Sequence, residues 1–207
     1  MDPVNRAIRS LAVFATSDYI GEPVSQLEHA LQSAYFAEKS GHSDEVILAS
    51  LFHDIGHFAS ETEQRTMAHL GIMHHEWIGA KLAYDMGFSN KIALLIGYHV
   101  DAKRYLAGKK PNYYERLSIA SKGTLAHQGG PMSESEMSQL EQHVFFKEIL
   151  QVRVNDEKGK EIGLVVPDLY SYQSLIKKHI QPRLKEDLVL ENFIDHDWVE
   201  KFKQQLL

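Results

Sequence analysis

His53-Asp54-Ile55-Gly56-His57 is the densest run of chemically active side chains in this 207-residue sequence. Adjacent His and Asp side chains on a helix lie about 100° apart around its axis, so one metal ion or a bridged pair can use both. Neutral imidazole and carboxylate suit iron, manganese, zinc or magnesium. The same residues could instead close a helix and face water. Three further histidines argue against that. His29 stands beside Ala30 on an apolar stripe, His75 falls early in a later helix, and His99 shares a face with Leu95 and Ile96. A lone histidine in such a place is usually a satisfied core residue. Together with the His-Asp pair they are better explained as ligands pointing inward from successive helices, as in metal-binding helix bundles.

Composition narrows the chemistry. The chain has 12 histidines and no cysteine, which removes thiolate zinc sites, iron–sulfur clusters, disulfides and a Cys nucleophile. With 22 basic and 28 acidic residues the net charge is -6, so the footprint of a nucleic-acid backbone binder is missing. No apolar run approaches the ~18 residues of a spanning helix. The opening Met1-Asp2-Pro3 lacks the basic-then-apolar layout of a signal peptide. The expectation is a soluble cytoplasmic protein with no nucleic-acid or membrane partner. The oligomeric state is not legible.

The elements that must position these residues read as helices. Leu27, Ala30, Leu31 and Ala34 make a stripe between Val24 and Lys39. Ser43 with Asp44 and Glu45 starts a second helix that stops near Gly56. A third is predicted over His74 to Met86, with Gly87 past its end. A fourth follows Ser89-Asn90 and runs through Ile92, Leu95, Ile96 and His99. Pro111 precedes a fifth, Asn112 to Leu125. After Gly129-Gly130-Pro131, Ser133 with Glu136 forms a capping box for a helix carrying Met137, Leu140 and Val144. Ile162 to Val166 reads as an extended loop rather than a strand. Two more helices fit Leu169 to Ile180 and Asp195 to Leu206. The expectation is an all-α helical bundle forming a single domain over residues 1–207, with a metal site in its core.

His29, then His53-Asp54, then a later aspartate resembles the H…HD…D signature of the HD-domain superfamily, in which HDIGH is typical. Extra histidines such as His75 and His99 resemble the subset with two metals. A narrower resemblance rests on Asp18-Tyr19-Ile20-Gly21-Glu22, Gln26 to Gln32, Leu51 to His57, His99-Val100-Asp101-Ala102-Lys103-Arg104-Tyr105-Leu106 and Arg153-Val154-Asn155-Asp156. These blocks are similar in order and spacing to the PhnZ-type di-iron 2-amino-1-hydroxyethylphosphonate dioxygenases, which are related to myo-inositol oxygenase. Asn155 departs from the pattern, which has an aromatic residue before the aspartate.

The resemblance implies two iron ions, Fe(II)/Fe(III), with O2 as co-substrate. It implies His29, His53, Asp54 and Asp156 around one iron, and Asp54, His75 and His99 around the other. His74 competes with its neighbour His75, and family spacing favours His75. The implied phosphonate clamp is His57, Lys103, Ser121 and Arg153. Tyr19, in a segment bounded by Gly21 and Pro23, would close an open iron position until substrate arrives, and Glu22 would hydrogen-bond the departing tyrosine or the substrate amine. The implied reaction breaks the carbon–phosphorus bond of a small 1-hydroxy-2-aminoethylphosphonate, releasing phosphate and an amino acid (glycine if the amine is primary). The alternative is a metal-dependent phosphohydrolase of the common HD type, acting on a nucleotide or another phosphate ester. His42, His69, His127, His143, His179 and His196 match no motif and read as surface or satisfied residues.

Overall fold

The computed structural model describes residues 2–13, 19, 21–58, 67, 71–181, 200, 202–204 and 206. Every regular element among them is helical: α1 (Pro3–Ala12), α2 (Gln26–Lys39), α3 (Asp44–Phe52), a 3-10 turn (Ile55–Phe58), α4 (His75–Met86), α5 (Asn90–Gly97), α6 (His99–Lys109), α7 (Pro111–Arg116), α8 (Ile119–His127), α9 (Glu134–Glu141), α10 (Phe146–Lys158), a 3-10 turn (Leu169–Tyr172) and α11 (Gln173–His179). None is long and apolar enough to cross a membrane.

The centre is built on α3 and α5. Val46, Leu48, Ala49 and Phe52 on α3, and Ile92, Ala93, Leu95 and Ile96 on α5, are fully buried. A helix that is apolar all round has to lie inside. α3 packs against α2, α5 and α10, while α4 lies on α5 and on the 3-10 turn after α3. The ends of α3 and α10 therefore meet α2, and the start of α4 meets the turn at Asp54.

The predicted boundaries hold for α2, α3 and α4 to within a turn. Elsewhere the chain breaks where a continuous helix was expected. The fourth helix ends at Gly97, and His99 opens α6. A Cβ on Gly97 would lie 2.4 Å from the Trp77 ring, so the glycine admits that indole against the break. The fifth divides at Ser118, whose hydroxyl caps α8 by accepting from Ser121 N at 3.1 Å. Val144 falls beyond α9 and is exposed, and α10 starts as a separate helix. The capping box of Ser133 and Glu136 is present, and 162–166 is an extended loop. α1, which the stripe pattern did not reveal, is capped by Asp2 and buries Ala7, Ile8 and Leu11. The last predicted helix lies mostly outside the described residues, as do His69 and His196.

Candidate metal centre and substrate pocket

Four imidazoles converge. Nε2 of His29 and Nε2 of His53 are 3.0 Å apart, and Nε2 of His75 and Nε2 of His99 are 3.3 Å apart. Each ring's other nitrogen faces a carbonyl: His29 that of Gly159, His53 that of Ser50, His75 that of Ile72 and His99 that of Ile96, at 2.8, 2.8, 3.2 and 2.8 Å. A carbonyl can only accept, so all four Nδ1 atoms donate. In the neutral rings the Nε2 lone pairs then point at one another. Such pairs are held together only by a cation between them, either a proton or a metal. Carbonyl-anchored Nδ1 atoms are the usual outer support of ligating histidines.

Asp54 divides its carboxylate between the two pairs. Oδ2 is 3.4 Å from His53 Nε2 and 3.6 Å from His29 Nε2. Oδ1 is 3.3 Å from His75 Nε2 and 3.6 Å from His99 Nε2. Two ligand groups thus share Asp54: His29, His53 and Asp54, and Asp54, His75 and His99, each with atoms within 4.8 Å of one another. Asp156 Oδ1 adds to the first, 3.4 Å from His29 Nε2, and is buried with no hydrogen-bond partner. An orphaned buried carboxylate oxygen facing imidazole nitrogens is what a metal site looks like from its protein side. The donor set fits hard or borderline ions such as iron.

Charge follows the same plan. Burial opposes ionisation of Asp54 and Asp156, but His53 and, for Asp156, the Arg153 guanidinium hold both well below the usual carboxylate range. Burial also opposes a proton on His53, yet Asp54 and Asp156 raise its pKa to about 9. A metal arriving there takes over the positive charge that His53, between the two carboxylates, otherwise carries as a proton.

Local sequence explains the convergence. α3 ends at Phe52, and the chain turns through Asp54 into the 3-10 turn. A Cβ on Gly56 would lie 1.8 Å from the His75 carbonyl oxygen, so only glycine lets the turn approach α4 this closely. Asn155 does not face the ligands. It donates to Ser50 Oγ at 3.2 Å and ties α10 to the end of α3, from the helix that carries Asp156. His74, at the N-cap of α4 with φ 59°, belongs to neither ligand group.

A cavity of about 50 Å³ opens onto this cluster and is lined by Tyr19, Glu22, His57, Lys103, Ser121 and Arg153 among others. The sequence-predicted clamp and gate residues are thus brought together. His57 stacks on His75 at 3.9 Å, and its Nδ1 accepts from Ile72 N, which leaves the hydrogen on Nε2. Burial and the neighbouring His75 lower its pKa to about 3. Lys103 donates to Thr124 Oγ1 at 2.9 Å, and burial with the Arg153 charge lowers it to about 7. Arg153 is held by Asp156, Glu157 and Tyr113, while its Nη2 is buried without a partner. Tyr19 stacks on His29 at 4.0 Å. Glu22 N donates to the Tyr19 carbonyl at 2.8 Å, closing a turn with Gly21 at φ 74°.

Sequence reasoning missed Gln26, Thr124 and Gln128 in the lining, and Lys160 behind it. Lys160 Nζ donates to Glu22 Oε1 at 2.8 Å and to Ser121 Oγ at 3.1 Å. No motif marks Thr124, Gln128 or Lys160, and Gln26 only opens a block that carries the resemblance. The unassigned histidines behave mostly as expected: His179 faces Asp44 at 3.0 Å, His42 faces Asn155, and His143 Nδ1 accepts from Phe145 N. His127 lines a second, larger cavity of about 150 Å³ on the other side of Gln128.

The family model for the HD domain matches residues 26–146. The chain belongs to the HD-domain family. It is 39% identical over 167 residues to a [1-hydroxy-2-(trimethylamino)ethyl]phosphonate dioxygenase (glycine-betaine-forming) of Leisingera caerulea, covering 81% of this chain and 85% of that one. It is 36% identical over 164 residues to a hydroxymethylphosphonate dioxygenase of Gimesia maris, covering 79% and 81%. An uncharacterized protein of Acanthamoeba polyphaga mimivirus is 39% identical over 178 residues, covering 86% and 81%. The chain is an HD-type enzyme of the oxygenase group that its motifs resemble. The family match stops short of Arg153 and Asp156, and Tyr19 and Glu22 precede it.

Proposed function

We propose that this HD-domain enzyme is a dioxygenase that cleaves the carbon–phosphorus bond of a small 1-hydroxyphosphonate, with one domain over 1–207 carrying the activity. The resemblance that began with Tyr19 and Glu22 points to a 2-amino-1-hydroxyethylphosphonate type of substrate. That compound and O2 balance to glycine and dihydrogen phosphate. Hydroxymethylphosphonate and O2 balance to formate and dihydrogen phosphate. In either case C1 rises from alcohol to carboxylate while O2 takes up four electrons, and phosphorus leaves as phosphate.

One observation carries this reading: two ligand groups that share Asp54 open onto a pocket of cationic and neutral donors. His29, His53, Asp54 and Asp156 would hold one iron, and Asp54, His75 and His99 the other. An Fe(II)/Fe(III) pair, when bound, supplies the redox chemistry that O2 requires. The chain's own residues would do the rest. Arg153 Nη2, Lys103 Nζ and His57 Nε2–H donate to phosphonate oxygens, with Arg giving direction and Lys a point charge. The Ser121 hydroxyl accepts from Lys160, so its own hydrogen is available to the substrate. Tyr19 covers the His29 side of the cluster and excludes water until substrate enters.

The test is oxygen dependence. Protein loaded anaerobically with ferrous iron is given each 1-hydroxyphosphonate, and phosphate is measured with and without O2. Release that tracks O2 uptake supports the dioxygenase. Equal release without O2 would mean hydrolysis of the carbon–phosphorus bond, and release from phosphate esters but from none of the phosphonates would make it a phosphohydrolase.

A further inference from the structure

Glu22 and the face of Tyr19 are the two groups in the pocket suited to receive a substrate ammonium. A carboxylate pairs with a primary ammonium, and an aromatic face attracts either a primary or a quaternary one. Both are already engaged by the same cation of this chain. Lys160 Nζ lies 2.8 Å from Glu22 Oε1 and 5.5 Å from the Tyr19 ring centroid. Its third contact is Ser121 Oγ at 3.1 Å. Ser118 Oγ donates to the same Glu22 oxygen at 2.6 Å. The pair is well shielded, with the side chains of Lys160 and Glu22 only 17% and 8% exposed. An ion pair this enclosed is weakly screened.

We propose that Lys160 is a specificity residue. It fills from within the chain the place of a substrate ammonium beside Glu22 and Tyr19, and so selects 1-hydroxyphosphonates with no cationic group on the second carbon. The inference rests on the phosphonate dioxygenase reading and narrows its substrate. The single negative charge of Glu22 is balanced by Lys160, so an incoming ammonium would gain little from the carboxylate. It would also meet Lys160 as a like charge, which is a repulsive element of the kind that sets specificity. Lys103 and Arg153, the charged members of the phosphonate clamp, are separate from this group, and only the Ser121 hydroxyl is shared with it. The lysine is held in place by the chain reversal after α10. Gly159 brings the backbone against His29, and Glu161 N donates to Gln32 Oε1 at 2.9 Å on the other side of Lys160.

The experiment compares three substrates with iron-loaded protein: hydroxymethylphosphonate, 2-amino-1-hydroxyethylphosphonate and its trimethylammonium analogue. Wild-type protein is expected to favour the first in kcat/KM by about tenfold or more, and dissociation constants measured without O2 should rank the same way. Lys160→Met should shift that ratio toward the cationic substrates by about tenfold, and Lys160→Arg should preserve it. A wild-type preference for either cationic substrate would overturn the inference, as would an unchanged ratio in folded Lys160→Met. If the Met variant does not fold, the wild-type ratio and the Arg variant decide. Oxygen-independent release, or no release from any of the three, would instead remove the dioxygenase reading and this inference with it.

Discussion

The Nε2 atoms of His29 and His53 face each other at 3.0 Å while both Nδ1 atoms donate to carbonyls. The two rings come from different helices and cannot turn away without losing those carbonyls. The pair is pre-organised around whatever cation lies between them. Metal binding should therefore stabilise the fold measurably. Adding ferrous or manganous ion to chelator-treated protein should raise the melting temperature with concentration, reflecting a stabilisation of about 2.7 kcal/mol at a hundredfold excess over Kd. Scanning calorimetry would record it. A melting temperature indifferent to metal and chelator would mark these as core histidines only.

Asp54 and Asp156 should differ in how much metal they hold. Asp54 alone reaches both histidine pairs, so Asp54→Ala should leave almost no metal in the purified protein. Asp156 faces only His29 and His53, so Asp156→Asn should lower occupancy on that side and spare the other. Asn keeps a partner for Arg153, whose buried charge would otherwise cost about 3–5 kcal/mol. Elemental analysis of metal per chain separates the cases. Equal loss in both variants would count against two separate groups.

The legible part of this site was local. His29 sits on, and His53 and Asp54 directly follow, helices whose stripes or caps are visible in the sequence, and His75 and His99 are the first residues of α4 and α6. Asp156 was reached only through family resemblance, because nothing local separates α10 from the capped helix before it. Lys160 was not reached at all. Its partners are Glu22 and Ser121, 138 and 39 residues away, and only the packed chain reversal after α10 joins them. Tyr98 shows the other limit. Helical periodicity runs straight through it, and the break depends on Trp77 packing at Gly97. Periodicity reports one helix's face, whereas breaks and clamps are set by a neighbour.

Gly159 is such a clamp. Its carbonyl anchors His29, and a Cβ there would lie 2.5 Å from Ser33 Oγ and 2.9 Å from the His29 carbonyl oxygen. Its φ is -71°, so alanine fits the backbone and only the contact is at issue. Gly159→Ala should cost about 1–3 kcal/mol in urea unfolding, the scale of overpacking. It should also weaken metal binding at the His29 side. A variant with wild-type stability and metal content would show that His29 tolerates displacement.

Lys103 and Arg153 should separate binding from stability. Lys103 is buried with one hydrogen bond, to Thr124, so Lys103→Met removes a charge that burial already disfavours. Its stability should hold or rise while kcat/KM falls by about 1.5–3 kcal/mol, the scale of a charged hydrogen bond. Arg153→Ala should lose both, because it also strips Asp156 and Glu157 of their partner. Chemical denaturation and steady-state kinetics on the two variants give the contrast. Unchanged kcat/KM in Lys103→Met would exclude it from the phosphonate clamp.

Tyr19 tests the gate. Its ring lies on His29, and burial, with Asp54 and Asp156 adding to it, keeps its phenol protonated far above the ordinary range. In the metal-free chain it is therefore a neutral cover. A bound ferric ion would reverse that balance, since a phenolate oxygen is a hard ligand and the metal's charge offsets both carboxylates. Substrate, bringing its own oxygens, would displace it. Tyr19→Phe keeps the stacking on His29 and loses only the oxygen. Both metals should remain, and any tyrosinate-to-iron absorption should vanish. Oxygen uptake should then exceed phosphate release, because the position would stay open before substrate binds. Oxygen-electrode and phosphate assays on the same sample measure the ratio. A ratio equal to that of wild type, in a variant that still binds iron, would leave Tyr19 as a packing residue over His29 and remove the gate.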